Sequence, residues 1–320
     1  MSADGAAADI ILPPPRVEPY RGPPPHDKGP LIFLDYDQIE LDAAYDQQVY
    51  QPNIVQVAKR WASNSARTRA RLGEPTRVRY GPTEIERLDL FRTEVSAPAP
   101  VFIFIHGGAW ARGEAALYHA PAEMFVRAGA HYITPDFAPV QDVGGSLFPM
   151  ADQVCRAIAW VYENAASFGG DRDRIYVGGQ SSGAHLTAVA LTTDWAGQYG
   201  LPIDPIRGGL CASGMYELAP VRLTVRSNYV KFTEEMVEKL SPTRHLQRLR
   251  TPLIVSYGTC ETPEFQRQAL EFAAAATATG TPVEVIVGEN YCHTELLETL
   301  CNPYGQLGAA VLKQMGLAPR

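Results

Sequence analysis

Two adjacent serines and a histidine lie within eight residues in the stretch GGQSSGAH, at positions 178–185. The five letters GQSSG fit the pattern G-x-S-x-G with Ser181 at the centre. A short apolar stretch, DRIYVGG, precedes this pattern and a helical pattern follows it. Small flanking residues let a central hydroxyl project from a tight strand-to-helix turn, and the N-terminus of the helix faces developing negative charge. The stretch therefore predicts Ser181 as a nucleophile.

The neighbouring serine and histidine do not fit the roles of nucleophile and base. Ser182 would need glycine at positions 180 and 184, where the chain has Gln180 and Ala184. We expect Ser182 to contribute its backbone N–H instead. His185 falls on the helix that leads away from the turn, so we expect its side chain to point away from the hydroxyl and to pack structurally.

A second glycine-rich segment, HGGAW at 106–110, directly follows the apolar run VFIFI. Glycines at the end of a strand let backbone N–H groups point into a cleft, where they can stabilise a tetrahedral oxyanion. We predict that Gly107, Gly108 and Ser182 supply these N–H donors. The alternative is that HGGAW is only a tight turn at the end of a strand.

Two side chains near these segments are predicted to contact the substrate. Trp110 is expected to form a wall of the pocket, and Gln180 lies next to the nucleophile. His106 is expected to bond the loop backbone in a structural role.

The base and its acid partner are predicted from loops after later strands, in the chain order serine, acid, histidine. His293 follows the strand pattern VEVIVGE. The preceding strand pattern continues into GTCETPEF, which offers Glu261 and Glu264. Thr262 and Pro263 are typical of a helix start, so helix-dipole compensation explains Glu264, whereas Glu261 lies in the loop. We predict Glu261 as the orienting carboxylate and His293 as the base.

The elements that must position these residues alternate between short apolar strands and amphipathic helices. This pattern predicts an α/β domain with a mainly parallel, doubly wound sheet over residues 36–320. Residues 36–75 have helical periodicity, and a polar, irregularly helical stretch at about 216–249 is expected to form a cap above the sheet. Eight prolines within the first 30 residues predict an extended, flexible arm over residues 1–35.

Composition narrows the class of partner. The formal net charge is −7, from 28 basic and 35 acidic residues, which argues against a nucleic-acid partner. The longest strongly apolar run is too short for a membrane span, and no secretory signal is found, so we expect a cytoplasmic enzyme acting on a small molecule. The five cysteines include no CxxC pair, so reduced thiols are expected and no metal site is predicted.

Six segments together resemble the kynurenine formamidase (arylformamidase) branch of the α/β-hydrolases. In chain order they are HGGAW, GGQSSGAHL, SGMYELAPV, EKLSP, GTCETPEFQRQ and NYCHTELL, and the helical segment LDAAYDQQVYQP adds to them. The resemblance implies an α/β-hydrolase fold and an acyl-enzyme mechanism with Ser181 as nucleophile, His293 as general acid/base and Glu261 as its orienting carboxylate. It implies an N-formyl or ester group on an aromatic amine or similar leaving group as substrate. It implies no metal or organic cofactor, and a homodimer would be consistent with it.

The chain departs from this family at several positions. It has Gln180 where histidine is usual, Ser182 where alanine is usual, and Glu261 where aspartate is usual. A general carboxylesterase on the same scaffold is therefore the alternative. A hydrolase-like binding protein without catalysis is the more remote one, because such proteins typically lose the serine or the histidine and both are present here.

Overall fold

The computed structural model describes residues 22–95 and 98–319. Most of the predicted proline-rich arm, residues 1–21, lies outside the described residues. The described end of the arm contacts the start of the first helix. Asp37 caps this helix and accepts hydrogen bonds from His26 Nε2 at 2.9 Å and from the Gly29 N–H at 2.8 Å.

Eight strands form one sheet with the spatial order β1-β2-β4-β3-β5-β6-β7-β8. The strands are β1 Thr76–Arg79, β2 Arg87–Phe91, β3 Ala99–Ile105, β4 His131–Pro135, β5 Gly170–Gln180, β6 Gly208–Ala212, β7 Leu253–Gly258 and β8 Val283–Gly288. In this spatial order, every neighbouring pair from β4 to β8 is parallel. The β1–β2 and β2–β4 pairs at one edge of the sheet are antiparallel. Every residue of β3 is buried, as expected for an apolar strand that is covered on both faces.

The described residues also form twelve α-helices, which cover both faces of the sheet. They are α1 Gln38–Ala44, α2 Gln47–Tyr50, α3 Ile54–Leu72, α4 Ala122–Ala128, α5 Phe148–Asn164, α6 Ser182–Leu191, α7 Trp195–Tyr199, α8 Leu218–Val221, α9 Glu234–Leu240, α10 Pro263–Ala278, α11 His293–Glu298 and α12 Gln306–Gln314. Helices α5, α6 and α10 contribute to one apolar core, and α3, α4, α11 and α12 contribute to a second. This is the mainly parallel, doubly wound α/β arrangement that the sequence predicts.

Two features of the N-terminal half differ in detail from the sequence expectation. The helical segment at 36–75 consists of three helices, and Gly73 ends the last of them with φ 86°. Strand β1 is not predicted, because its sequence TRVR has no apolar alternation and its side chains are largely exposed. It forms as an edge strand against β2 alone.

The stretch predicted as a cap, residues 216–249, contains α8, α9 and two 3-10 turns between β6 and β7. Helix α1 lies against this stretch. Gln38 Nε2 donates to the Leu223 carbonyl at 2.9 Å, and Asp42 accepts the Val225 N–H at 2.7 Å. Helix α1 is therefore hydrogen-bonded to the cap.

A search of the described residues finds no helix with both the length and the apolar character required to cross a bilayer.

Candidate active site

Ser181 lies in the turn between β5 and α6, with φ 59° and ψ −126°. This positive φ is uncommon for a residue other than glycine and is typical of strained functional turns. The turn is held by a hydrogen bond from the Ser181 N–H to the Ala212 carbonyl at 2.9 Å. A Cβ at Gly183 would lie 2.1 Å from the Ile105 carbonyl oxygen, which explains why the pattern requires glycine there.

Glu261 and His293 meet at the carboxyl end of the sheet. Glu261 follows β7, and His293 is the first residue of α11 after β8. The Nδ1–H of His293 donates to Glu261 Oε2 at 2.7 Å, which leaves Nε2 as the proton-accepting nitrogen. The other carboxylate oxygen, Oε1, accepts from the Gly258 N–H at 2.7 Å and from Ser213 Oγ at 2.5 Å. Both oxygens of this buried carboxylate are therefore fixed.

The second candidate acid, Glu264, is committed elsewhere. Its carboxylate accepts from Tyr45 Oη at 2.9 Å and from Arg267 Nε at 2.8 Å. Of the two glutamates that the sequence offers, the structure brings Glu261 and not Glu264 to His293.

Ser181 and His293, the predicted nucleophile and base, follow strands that end at the same edge of the sheet. Strands β5, β6, β7 and β8 are adjacent in the sheet, so their carboxyl ends share one edge. Gln180, the residue before Ser181, donates from Nε2 to the His293 carbonyl at 3.3 Å. The Ser181 hydroxyl has no hydrogen-bond partner within 22–95 or 98–319.

The loop after β3 presents backbone N–H groups beside the turn. Gly108 has φ 124°, and a Cβ there would lie 2.0 Å from the Arg112 carbonyl oxygen. In the described parts of the chain, the N–H groups of Gly107 and Gly108 have no acceptor. Ser182 is the first residue of α6, where an N–H has no acceptor within the helix. Three N–H groups without an acceptor in the described residues are therefore available where the sequence predicts an oxyanion hole.

His106 lies under this loop. Its Nδ1–H donates to the Gly107 carbonyl at 3.0 Å, and its ring stacks on Phe137 at a centroid distance of 4.2 Å. Burial lowers the pKa of His106 and so favours the neutral ring. These contacts are those of the predicted structural role.

His185 and Trp110 form a buried polar pair at the centre of the fold. Trp110 Nε1–H donates to His185 Nδ1 at 3.2 Å, and His185 Nε2–H donates to the Leu240 carbonyl at 2.7 Å. Burial lowers the pKa of His185 to about 4. Both ring nitrogens are occupied, so this histidine has no free position to accept a proton from Ser181.

Trp110 is buried beneath the cap in this structure and does not form an open wall of a pocket. Only 1% of its surface is exposed, and its ring contacts Arg226 and Phe232 of the cap as well as His185. In this structure it offers almost no surface to a ligand, and its predicted contact with substrate stays a prediction.

Two further residues support the site and were not found from the sequence. Ser213 lies at the carboxyl end of β6 with φ 52°, where it donates to Glu261. Gln51 is fully buried, accepts the Thr294 N–H at 3.1 Å and donates to Thr294 Oγ1 at 2.6 Å. The position of Ser213 after a strand could have marked it. Gln51 carries no such signal, because it is 243 positions from its partner.

Two cavities are lined by residues that belong to the predicted site or adjoin it in the chain. One, of about 140 Å³, is lined by Gln180 and Thr294, the chain neighbours of Ser181 and His293. Another, of about 240 Å³, is lined by Gly108 and by Arg226 of the cap. A separate cavity of about 610 Å³ adjoins the C-terminal end of α6 and is lined by none of the three predicted catalytic residues.

Three side chains that could ligate a metal converge in the described chain: His26, Asp37 and Glu40. Asp37 and Glu40 form the capping box of α1, and Lys28 pairs with Glu40. These pairings account for the cluster as the cap of a helix.

The mainly parallel sheet, the serine in a strained strand-to-helix turn and the Glu–His pair on later loops define an α/β-hydrolase of the serine type. Solved structures share this fold. One described as a thioesterase, from Silicibacter sp., has a TM-score of 0.74 and 24% identity, and the match covers 84% of this chain and 98% of that chain. Esterase LipW from Mycobacterium marinum has a TM-score of 0.65 and 18% identity over 85% of this chain and 89% of that chain. The predicted fold class is confirmed.

Sequence relatives identify the family. Kynurenine formamidase from Danio rerio is 30% identical over 249 residues, covering 75% of this chain and 81% of the relative. Esterase LipC from Mycobacterium tuberculosis is 32% identical over 202 residues, covering 59% of this chain and 48% of the relative. A family profile described as BD-FAE matches residues 88–199. The chain belongs to the kynurenine formamidase family of α/β-hydrolases, and it is a hydrolase of amide or ester bonds.

Proposed function

We propose that this enzyme cleaves a small aromatic amide of the N-formyl arylamine type, or the corresponding ester, through an acyl-enzyme intermediate. The observation that carries the proposal is the buried His293–Glu261 pair, whose Nδ1–Oε2 distance is 2.7 Å, at the sheet edge that bears the strained Ser181. The similarity to the Danio rerio enzyme supports the aryl formamide as substrate class.

The first half of the reaction acylates the serine. Ser181 Oγ attacks the carbonyl carbon while His293 Nε2 takes the hydroxyl proton. The carbonyl oxygen becomes an oxyanion, which the N–H groups of Gly107, Gly108 and Ser182 stabilise. The bond from carbon to the leaving nitrogen or oxygen then breaks, and His293 returns the proton to that atom as it departs.

The second half releases the acid. A water molecule attacks the acyl carbon while His293 accepts one of its protons, and the same three N–H groups stabilise the second oxyanion. When the bond from the acyl carbon to Ser181 Oγ breaks, the proton on His293 passes to that oxygen. Throughout, Glu261 holds the ring orientation and stabilises the imidazolium without itself becoming protonated.

A general carboxylesterase is the second candidate. It is favoured by the match to esterase LipC and by Gln180, Ser182 and Glu261, which differ from the residues usual in formamidases. The chemistry is the same for both candidates, so only the preferred substrate separates them.

A substrate panel tests the proposal. The purified full chain is assayed with N-formylkynurenine, formanilide and aryl and alkyl acetates, and mass spectrometry locates the acyl group during turnover. We expect formamide hydrolysis and an acyl adduct on the peptide that contains Ser181. Faster turnover of alkyl esters, with no turnover of formamides, would favour the carboxylesterase. Trapping of the acyl group on a peptide that does not contain Ser181 would exclude the mechanism.

We also propose that the enzyme works in the cytoplasm on a small molecule, without nucleic-acid or membrane partners, and that it forms a homodimer. The buried, disulfide-free cysteines Cys155, Cys211 and Cys260 support a reducing compartment. Cell fractionation tests the compartment, and sedimentation equilibrium tests the dimer.

A further inference from the structure

An apolar pocket of about 140 Å³ lies between helices α3 and α11, beside the predicted catalytic residues. We call it the α3–α11 pocket. Val57, Trp61 and Leu297 supply apolar walls, and Tyr118 adds a second aromatic ring. The rings of Trp61 and Tyr118 meet edge to face at a centroid distance of 6.0 Å. The walls are therefore those of a site for an apolar, flat group.

Two residues that line the pocket are chain neighbours of the predicted catalytic residues. Gln180 immediately precedes Ser181, and Thr294 immediately follows His293, so each is one Cα–Cα step of about 3.8 Å from a reacting residue. Gln180 also donates to the His293 carbonyl at 3.3 Å, which fixes the two sides of the pocket relative to each other. A group bound in the pocket would therefore lie close to His293, the residue proposed to protonate the departing atom.

The volume sets the size of the ligand group. An apolar cavity of about 150 Å³ accommodates a benzene ring. The 140 Å³ of the α3–α11 pocket therefore matches one six-membered aromatic ring and is too small for two fused rings with substituents.

Trp61, which lines the pocket, carries an unsatisfied donor. The Nε1–H of Trp61 is buried and has no acceptor within the described residues, and only 8% of the residue is exposed. A buried N–H without an acceptor is destabilising, and an oxygen on a bound ring can satisfy it.

The second cavity near the site carries charged groups. Asp42, Asp46, Arg112 and Arg226 line it beside Gly108, together with Tyr45 and Tyr229. The residues that line the α3–α11 pocket include no charged side chain, so this pocket is the more apolar of the two.

From these observations we propose that the α3–α11 pocket binds the aromatic ring of the leaving group, and that it selects a single ring bearing a hydrogen-bond acceptor. The inference rests on the proposed serine hydrolase function and adds the residues that determine its specificity. Ala62 is decisive for testing it, because it lines the pocket from α3 and its side chain is a single methyl group.

The test replaces Ala62 with leucine and compares leaving groups on one acyl group. Ala62→Leu fills part of the pocket, and leucine is tolerated in helices nearly as well as alanine. Ala66→Leu, at an exposed position on the same helix outside the pocket, is the matched control. We expect Ala62→Leu to lower kcat/KM for phenyl acetate at least about 10-fold, to leave ethyl acetate within about twofold, and to weaken inhibition by phenol. The control should change none of these values.

The outcomes separate the two proposals. If the wild-type chain hydrolyses no ester or amide of the panel, the proposed function fails. If it hydrolyses them and Ala62→Leu affects phenyl and ethyl acetate equally, only the pocket assignment fails. Selective loss with methyl benzoate, whose ring is on the acyl side, would also overturn the assignment to the leaving group.

The acceptor preference has its own test. Phenyl acetate is compared with its three methoxy isomers in the wild type and in Trp61→Phe, which keeps an aromatic wall without the N–H donor. We expect at least one methoxy isomer to be favoured over phenyl acetate in the wild type and to lose that advantage in Trp61→Phe. Retention of the advantage in the variant would overturn the role of Nε1–H.

Discussion

Glu261 Oε2 lies 2.7 Å from His293 Nδ1, although the two residues come from loops after different strands. The opposite oxygen of the same carboxylate accepts from Ser213 and from the Gly258 N–H. A glutamate is one methylene longer than the aspartate usual in this family, and here the additional length is held by contacts on both oxygens. These contacts hold the Glu261 carboxylate in place, and the carboxylate in turn orients the His293 ring.

The nucleophile is tested by replacing each of the two adjacent serines. Ser181→Ala removes the hydroxyl that is proposed to attack the carbonyl carbon and should lower kcat by at least about 10⁴-fold. Ser182→Ala keeps the backbone N–H that is assigned to the oxyanion and should retain much of the activity. Steady-state assays with an aryl acetate check both values. Near-normal activity of Ser181→Ala would move the nucleophile to another residue.

The acid is tested by a matched pair of glutamines. Glu261→Gln removes the carboxylate that fixes the tautomer of His293, so we expect kcat to fall by about 10⁴-fold. Glu264→Gln disturbs the contacts with Arg267 and Tyr45 and should reduce stability more than turnover. Measuring kcat together with urea unfolding separates the two effects. The reverse pattern would assign the acid to Glu264.

Gln51 is predicted to position His293 from outside the sheet. It bonds both the N–H and the hydroxyl of Thr294, so Gln51→Ala frees the start of the helix that carries the base. We expect kcat to fall by about 10-fold with little change in KM, because positioning affects the transition state more than binding. Gln51→Glu keeps an oxygen for the Thr294 N–H and should restore part of the rate.

The matched control for this experiment is Gln56→Ala, at an exposed position on α3. It should leave both kcat and KM unchanged. A fall in thermal stability of Gln51→Ala without any fall in kcat would show that Gln51 has only a structural role.

The sequence predicts the parts of the site that depend on local chemistry. A glycine pattern marks Ser181 and the loop at Gly107 because only small residues fit such close backbone approaches. Chain order and helix-start signals distinguish Glu261 from Glu264 before any contact is visible. Short apolar strands alternating with helices likewise predict the sheet, because their pattern follows directly from burial on both faces.

The parts that could not be predicted depend on contacts between distant segments. The bonds from Gln51 to Thr294 join the N-terminal helices to α11, and no periodicity records such a pairing. The contacts of Trp110 show the same limit. Its position beside the glycines gives no sign that its indole bonds to His185 and packs beneath the cap. Edge strand β1 could not be predicted, because it has one neighbour and no buried face to impose an apolar alternation.

His185 should make stability depend on pH in mildly acidic solution. Burial lowers its pKa from 6.5 in a model peptide to about 4, and its Nδ1 accepts the Trp110 N–H only when the ring is neutral. The unfolded chain binds a proton at this residue below pH of about 6.5, whereas the folded chain does not until pH of about 4. The stabilisation that comes from keeping His185 neutral is therefore complete above pH of about 6.5 and is lost as pH falls through 4. This loss lowers the free energy of unfolding by about 3 kcal/mol.

Urea unfolding of the wild type and of His185→Gln isolates this contribution from that of other titrating groups, because glutamine can keep a hydrogen bond but does not titrate. The wild type should be the more stable of the two at pH 7, since its neutral ring bonds both Trp110 and Leu240. Between pH 7 and pH 4.5 the difference should shrink by about 2 to 3 kcal/mol. A difference that does not change with pH would mean that His185 takes up its proton in the folded protein as readily as in the unfolded chain.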